Sequence, residues 1–220
     1  LNGDGYIELV SGQDVYWGGT DGVTAARMTR LVGPFGSGNT GRGGDLNGDG
    51  YADVIYGDWA NNRIHIYHGG AAITFSRTVT TYGGATPIIP DSVGDFDGDG
   101  FGDIIATGQT MDGCRIYYGS PDGITGTFSD LAAASGLHSV VSSLAGSAEG
   151  VGDVDGDGYF DAACTVGSDT VATRQMFCVW FGNPNRTEYR YQCVDSPDGN
   201  GTLHMDGADL NLDGYSDVIA

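Results

Sequence analysis

Acidic side chains crowd into short stretches that recur along the chain. Four carboxylate or amide side chains fall within nine residues in DLNGDGYAD at 45–53, DFDGDGFGD at 95–103, DVDGDGYFD at 153–161 and DLNLDGYSD at 209–217. Like charges this close repel one another unless a cation lies among them. Because carboxylate, amide and carbonyl oxygens are the ligands that Ca²⁺ prefers, the spacing predicts a metal ion in each stretch.

We name these stretches loops 2, 3, 4 and 5 in chain order, and we number the positions in each loop from its first Asp. Side chains at positions 1, 3 and 5, the carbonyl of position 7 and the carboxylate of position 9 can surround one Ca²⁺, with water completing the shell. The glycine at position 6 permits the sharp turn that this arrangement needs. The predicted ligands are Asp45, Asn47, Asp49, Tyr51 and Asp53; Asp95, Asp97, Asp99, Phe101 and Asp103; Asp153, Asp155, Asp157, Tyr159 and Asp161; and Asp209, Asn211, Asp213, Tyr215 and Asp217.

A fifth copy, LNGDGYIE at 1–8, lacks its opening Asp, and we name it loop 1. Its predicted ligands are Asn2, Asp4, Tyr6 and Glu8, with Tyr6 acting through its carbonyl. We therefore expect about four calcium sites and an incomplete fifth. Because the chain begins inside this motif and has no initial Met, we also expect it to be a piece of a longer protein.

The sequence that follows each loop separates these sites from EF-hands. An EF-hand needs a helix after its loop and a Glu at position 12, whereas here position 9 is Asp and a strand-like apolar run follows at once. Mg²⁺ suits the loops less well, since it requires rigid octahedral geometry and retains its waters. Loops 3 and 4 carry four carboxylates each, so we expect them to bind calcium more tightly than loops 2 and 5, in which Asn replaces one Asp.

The loops also reveal the fold, because complete copies begin at 45, 95, 153 and 209. Steps of this length suit one propeller blade of four short strands. An apolar run such as DIIATG at 103–108 follows each loop, and an aromatic run ending in glycine, such as IYHGG at 66–70, comes next. These runs predict the second and third strands, so the acidic loop should join the first strand to the second.

The predicted fold is therefore all-β, a β-propeller of four-stranded blades with about four blades in one domain over residues 1–220. The expected repeat units are 1–44, 45–94, 95–152 and 153–208, with residues 209–220 starting another. With 40% hydrophobic residues, the chain is able to bury a substantial core.

The charge of the chain restricts its partners. The formal net charge is −20, and the nine basic residues are all Arg. Since this leaves no basic surface for phosphates, we expect no binding to nucleic acid. No apolar run of about 18 residues is present, so we expect no membrane span in this segment.

Four cysteines, Cys114, Cys164, Cys178 and Cys193, allow three disulfide pairings. Cys178 and Cys193 lie symmetrically about a turn-like segment at 183–187, as expected for a disulfide bond across a hairpin. Cys164 and Cys178 are similarly symmetric about residue 171, and four unpaired buried thiols are a further alternative. None of the spacings matches a zinc site.

The acidic loops resemble the FG-GAP repeats of integrin α-subunit propellers and of many bacterial secreted proteins. In that family the pattern D-x-[DN]-x-D-G-x-x-D, followed by apolar residues and a glycine, joins the first and second strands of a blade. The FG signature is literal only at Phe35–Gly36, and YGDW and ATGQ stand where GAP would be. The resemblance implies a β-propeller, usually seven-bladed, so this chain would be part of a larger ring or would close a ring with other chains.

The resemblance also implies that the calcium loops share one face and that ligands bind the opposite face. That face is formed by loops between second and third strands and by loops between blades. The candidate ligand-binding residues are Asp58, Trp59, Asn61, Asn62 and Arg63, with the segments 109–112 and 168–175.

These observations predict a secreted, extracellular or cell-surface protein that binds calcium, serves adhesion or recognition of a protein or glycan ligand, and is not an enzyme. No organised catalytic set is evident, since His65 and His68 face opposite sides of one predicted strand and the other two histidines lie in other units. One alternative is a carbohydrate-binding or carbohydrate-active protein, a lectin or a polysaccharide lyase-like propeller. Another is a structural subunit that joins neighbouring chains in an extracellular assembly.

Overall fold

The computed structural model describes residues 1–36, 38–58, 60–80, 88–108, 114–131, 148–167, 175–195 and 205–219. Over these ranges the chain forms antiparallel β-sheets and one short 3-10 helix at Ala25–Arg27, so the predicted all-β class is confirmed. In the same ranges no helix is both long and apolar enough to cross a membrane.

The strands form five sheets, which we number in chain order. Sheet 1 contains β1 (Leu9–Ser11), β2 (Asp14–Tyr16) and β3 (Met28–Arg30). Sheet 2 contains β4 (Gly38–Gly44), β5 (Asp53–Asp58), β6 (Arg63–His68) and β7 (Thr74–Thr80). Sheet 3 contains β8 (Ile88–Gly94), β9 (Asp103–Gly108), β10 (Cys114–Tyr117) and β11 (Phe128–Asp130). Sheet 4 contains β12 (Ala148–Gly152), β13 (Asp161–Gly167), β14 (Gln175–Trp180) and β15 (Tyr191–Asp195), and sheet 5 contains β16 (Asp206–Ala208) and β17 (Asp217–Ile219).

Sheets 2, 3 and 4 are antiparallel meanders in which the strands pair in chain order. Each has four strands, and its acidic loop joins the first strand to the second, as the sequence predicts. The described strands of sheet 1 follow loop 1, and those of sheet 5 flank loop 5. The five units therefore repeat one plan.

A register shift recurs where the first strand of a sheet approaches its acidic loop. It lies between Ser92 and Gly94 in sheet 3, and at equivalent places in sheets 2 and 4. Gly94 has a φ of 91°, which glycine adopts without strain, and it pairs with Asp103 at loop position 9. The bulge thus sets position 9 beside the residue that precedes position 1 and closes the loop at its base.

The core lies between consecutive sheets, in four separate clusters. Sheets 1 and 2 bury Val15, Val54 and Tyr67 between them. The next layer, between sheets 2 and 3, contains Ile55 and Ile104 among others. Two further clusters lie between sheets 3 and 4 and between sheets 4 and 5. Because sheets 2, 3 and 4 are covered on both faces, their second strands read as continuous apolar runs rather than as alternating ones.

The first strands contact one another in the order β4, β8, β12 and β16. Residues of β1, β4, β8, β12 and β16 together line a cleft of about 760 Å³. The first strands of sheets 2 to 5 therefore lie side by side along this cleft.

An aromatic side chain from each loop packs on the preceding loop. The contacts link position 7 of one loop with the glycine at position 4 of the loop before it, as for Phe101 above Gly48 and Tyr159 above Gly98. A Cβ at Gly48 would lie 2.9 Å from Phe101 Cε1. The position 4 glycine is therefore needed both for space and for a positive φ, which is 72° at Gly48.

This contact can be tested by comparing G48A with G50A in calcium-free protein. Both glycines have positive φ, but a Cβ at Gly50 meets nothing within 4 Å. We expect G50A to lower the free energy of unfolding by about 1 kcal/mol, through backbone strain alone. G48A should cost about 1 to 3 kcal/mol more because it also displaces the ring. Denaturant titration measures both, and equal costs would contradict the packing role.

Two disulfide bonds lie in sheets 3 and 4. Cys178 and Cys193 are directly opposed on β14 and β15, with Cα atoms 4.0 Å apart, and their predicted pairing is confirmed. The alternative Cys164–Cys178 pairing is wrong, although these residues are also directly opposed. All three lie on the face of sheet 4 that packs on sheet 3, and there Cys114 pairs with Cys164. The alternative of four unpaired thiols is wrong for the same reason.

The connectivity can be checked by tryptic digestion without reduction. Cleavage after Arg115, Arg174, Arg186 and Arg190 places each cysteine in a different peptide. We expect mass spectrometry to find the peptide ending at Arg115 linked to 116–174, and 175–186 linked to the peptide starting at Tyr191. A link between 116–174 and 175–186 would contradict the structure, and a reduced sample is the control.

Candidate metal centre

Loops 2, 3 and 4 start directly after the bulged glycine of a first strand, and loop 5 starts directly after Ala208 at the end of β16; each of these four loops ends at the first residue of a second strand. Asp53, Asp103, Asp161 and Asp217 at position 9 open β5, β9, β13 and β17. At position 6 the glycines have φ between 86° and 94°, as the sequence predicts. The chain therefore turns within the loop and then continues at once as a strand.

The carboxylate at position 1 is held by the loop backbone. In loops 2 to 5, one of its oxygens accepts the N–H of position 5 and the other accepts the N–H of position 6, at 2.9 to 3.2 Å. These bonds draw the turn around the position 1 side chain. The same geometry recurs in four loops, which indicates that local sequence determines it.

Positions 3 and 5 make the same kind of local bond in all five loops. An oxygen of position 3 accepts the N–H of position 5, and an oxygen of position 5 accepts the N–H of position 7, at 2.9 to 3.3 Å. Asn and Asp both supply this oxygen, which explains how Asn2, Asn47 and Asn211 replace Asp at position 3. One oxygen of each side chain is thereby oriented by the backbone.

Position 9 ties the loop to the sheet. Its Oδ2 accepts the N–H of position 2 in loops 2 to 5, at 2.7 to 3.0 Å. In sheets 2, 3 and 4 its Oδ1 also accepts the N–H of the glycine that follows the third strand, Gly69, Gly119 or Gly182. This explains the glycine after each aromatic run in the sequence, because a Cβ at Gly119 would meet the backbone of loops 2 and 3.

Two loops bring three carboxylates to one point among the described residues. Ligand atoms of Asp95, Asp97 and Asp103 lie within 4.8 Å of one another, as do those of Asp153, Asp155 and Asp161. These are positions 1, 3 and 9 of loops 3 and 4, the pair with four carboxylates. The two clusters could hold a metal ion, and a set of oxygen donors alone fits a hard cation such as Ca²⁺.

Burial raises the pKa of the position 9 carboxylates in loops 2, 3 and 4. It raises the pKa of Asp103 to about 8 and that of Asp161 to about 6, and hydrogen bonds from the backbone oppose the shift only partly. Burial likewise raises the pKa of Asp53 and of Asp97. Burial therefore favours the protonated form of these carboxylates, and a metal ion would supply the charge that compensates their ionised form.

Loops 2 and 5 have the same backbone hydrogen bonds with a smaller set of acids, and loop 1 has those of positions 3 and 5. Asn47 Nδ2 in loop 2 lies 3.3 Å from His68 Nδ1 and donates to Asp49 Oδ2 at 3.0 Å. In loop 1, Glu8 at position 9 accepts a bond from the nitrogen of Leu1 at position 2. The carbonyl of each position 7 remains a sequence-based prediction as a ligand.

Sequence reasoning missed two arginines that contact the loops. Arg186 pairs with Asp97 and Asp99 in loop 3, and Arg190 pairs with Asp155 in loop 4. The comparison of repeats could not reveal these contacts, because it aligns residues along the chain and does not show which residues of different segments meet. Arg186 is also 87 residues from Asp99 along the chain.

The candidate ligand-binding residues lie in and around the β5–β6 hairpin of sheet 2. Asp58 is buried, and its carboxylate accepts bonds from Ala60 N at 3.2 Å and Asn61 Nδ2 at 2.7 Å. His65 Nε2 lies 3.5 Å from the same carboxylate, and burial lowers the pKa of His65. Asp58 thus stabilises the hairpin rather than facing solvent.

Arg63 is exposed at the start of β6, and Asn62 adopts a positive φ of 53° in the turn before it. Asn62 is half-buried, and a ligand-binding role for these two residues stays a prediction. Trp59 and the segments 109–112 and 168–174 lie outside the described residues.

The sheets and loops define a repeat protein in which each unit carries one acidic loop between its first two strands. Residues 45–106 match the model of the FG-GAP-like repeat, from the first Asp of loop 2 into β9. The chain therefore contains an FG-GAP-like repeat over these residues. No curated protein matches the sequence. The repeat and the two disulfide bonds are consistent with an extracellular protein.

The raised pKa of Asp103 predicts how pH affects calcium-free protein. Above the unfolded value of 3.8 and up to about pH 8, only the folded state holds this proton, so stability falls as pH rises. Between pH 6.5 and 8 we expect a loss of about 2 kcal/mol in the free energy of unfolding. The range from pH 6.5 to 8 lies above the ordinary pKa of His65. Because burial lowers the pKa of His65, this residue makes stability rise with pH, but it does so at lower pH.

Urea titrations in chelator at several pH values measure this slope, and D103N is the control. The variant has no carboxyl proton at this position, so its slope should be nearly flat over the same range. An equal slope in D103N and in the original protein would contradict the assignment to Asp103.

Proposed function

We propose that this chain is a calcium-stabilised β-propeller of an extracellular protein that serves adhesion or ligand recognition rather than catalysis. Each sheet is one blade in this proposal, and each acidic loop holds one Ca²⁺. The recurrent hydrogen-bond network that orients the oxygens of positions 1, 3, 5 and 9 carries the proposal. Similar repeats often bind divalent cations, which supports the choice of ligand.

The arrangement of the sheets supports a propeller. Consecutive sheets bury a core between them, and their first strands lie side by side around a central cleft. Four-stranded meanders with this radial order are the blades of a propeller. The described residues contain sheets 2, 3 and 4 with four strands each, as the proposal requires.

Calcium would have a structural task here. Asp95, Asp97, Asp99 and Asp103 would hold it in loop 3, together with the carbonyl of Phe101, and the corresponding residues would hold it in loop 4. The ion supplies positive charge to buried carboxylates and thereby removes their repulsion. Four such ions would neutralise about eight of the twenty net negative charges.

An extracellular setting supports both the metal and the disulfide bonds. Weak calcium sites fill where free calcium is near millimolar, and disulfide bonds persist in an oxidising compartment. A rigid ring of blades presents its connecting loops as a surface for a protein or glycan partner. Most acids in the described loops already bond to their own backbone, which favours a structural use over general acid–base catalysis.

Calcium removal tests this proposal. We expect the melting temperature to rise with calcium and to fall in EGTA, since a site at about 100-fold excess over its Kd adds about 2.7 kcal/mol. Native mass spectrometry should count about four ions per chain. D157N should lose one ion, whereas D122N, which changes an exposed Asp outside the loops, should lose none.

An unchanged melting temperature in EGTA would contradict the proposal, and an equal response to Mg²⁺ would contradict the choice of calcium. The recognition part is tested separately, by binding of the calcium-loaded protein to immobilised glycans and matrix proteins. Binding that disappears in EGTA supports recognition through the calcium-stabilised fold.

A further inference from the structure

Arg186 belongs to sheet 4 but contacts the acidic loop of sheet 3. It lies in the connection between β14 and β15, and its Nη2 donates to Asp99 Oδ2 at 2.8 Å. Its Nε donates to Asp97 Oδ2 in the same loop. One guanidinium group therefore spans positions 3 and 5 of loop 3.

The arginine is anchored from both sides. Its guanidinium carbon lies 4.1 Å from the ring centroid of Tyr118 in sheet 3. Its carbonyl oxygen accepts bonds from Ser129 Oγ at 2.9 Å and Tyr189 OH at 2.7 Å. The side chain is thus held over loop 3 by residues of both sheets, which lowers the entropic cost of keeping it there.

The two acids that Arg186 contacts are also predicted calcium ligands. The Asp97 side chain is only 2% exposed, and the arginine contacts it. Because Ca²⁺ and a guanidinium repel each other at such short range, the two cations oppose one another at these carboxylates. The burial of Asp97 under a positive group also limits how water or an ion reaches it.

We propose that Arg186 is a tethered counter-ion that competes with calcium for Asp97 and Asp99, so that it stabilises metal-free loop 3 and weakens calcium binding there. This inference rests on the proposed calcium function. It assigns a regulatory role to one residue of sheet 4, which adjusts the affinity of a site in sheet 3.

Loop 4 provides the natural comparison. Its arginine, Arg190, pairs with Asp155 at position 3, and no bond to Asp157 at position 5 is seen in the described structure. The Arg190 side chain is 64% exposed, against 39% for Arg186. Loops 3 and 4 each carry four carboxylates, yet the stronger arginine contact should make loop 3 the weaker calcium site of the two.

Calcium titration of R186Q, followed in ¹H–¹⁵N spectra, tests the competition loop by loop. The position 6 glycines, Gly50, Gly100, Gly158 and Gly214, each donate an N–H to the position 1 carboxylate and report on their own loop. We expect the midpoint at Gly100 to move to calcium concentrations on the order of tenfold lower. Midpoints at Gly50 and Gly214 should change less than about twofold, because Arg186 does not contact those loops.

R190Q is the matched control, and it should move the Gly158 midpoint by less than R186Q moves that of Gly100. A second measurement is thermal unfolding, in which R186Q should lower the melting temperature more in EGTA than in calcium. R186K keeps the positive charge but cannot contact Asp97 and Asp99 with a planar guanidinium group. Its Gly100 midpoint should therefore lie between those of the unsubstituted protein and R186Q. R186K also preserves the test if R186Q does not fold.

An unchanged or raised midpoint at Gly100 in R186Q would overturn the inference. Arg186 would then have no effect on calcium binding in loop 3, or would strengthen it. If the glycine signals of the unsubstituted protein do not respond to calcium at all, the proposed function itself fails. The two failures are therefore distinguishable in one set of spectra.

Discussion

Burial of a carboxylate at the base of loops 2, 3 and 4 constrains the rest of the structure. Position 9 opens the second strand, pairs with the bulged glycine of the first strand and accepts bonds from position 2 and from the end of the third strand. A single side chain thus joins three strands and the loop, but it does so in a place where its charge is unfavourable. Local N–H groups and a nearby cation are the two means of offsetting this cost, and the loops are arranged for both. The bulged glycine and the glycine after the third strand both contact the residue at position 9.

The loops also join one unit to the next. In loops 3, 4 and 5 the N–H of position 8 donates to the carbonyl of position 1 in the preceding loop, at 2.7 to 3.2 Å. The aromatic ring of position 7 covers the preceding glycine, and Arg186 adds a charged contact between sheets 3 and 4. Order within a loop is therefore coupled to the stacking of the sheets. A cation bound in one loop would stabilise the boundary between two units as well as the loop itself.

Sequence reasoning was most successful where the determinants are local. The second strand β9 begins and ends at the predicted residues, because the loop that precedes it and the glycine that ends it are both visible in the repeat. The disulfide between Cys178 and Cys193 was among the predicted alternatives, since a hairpin makes such a pair symmetric. Cys114 and Cys164 were not paired, because their contact depends on how two sheets face each other. The contact of Arg186 with loop 3 was not predicted for the same reason, because it forms only when sheet 4 packs against sheet 3. The buried position of Asp58 was also unforeseen, since a polar hairpin residue normally suggests exposure.

Leu212 departs from the plan at one point that bears on assembly. It occupies position 4 of loop 5, where loops 2, 3 and 4 have glycine, and it keeps the left-handed backbone with a φ of 63°. Its side chain is 88% exposed and stands where the earlier loops receive an aromatic ring. A branched side chain occupies this position. A neighbour that packs on loop 5 would therefore contact an aliphatic side chain instead of a glycine. The contact between an aromatic ring and a position 4 glycine, which the earlier loops share, is therefore not available at loop 5. A neighbour would need an apolar recess that accommodates the Leu212 side chain.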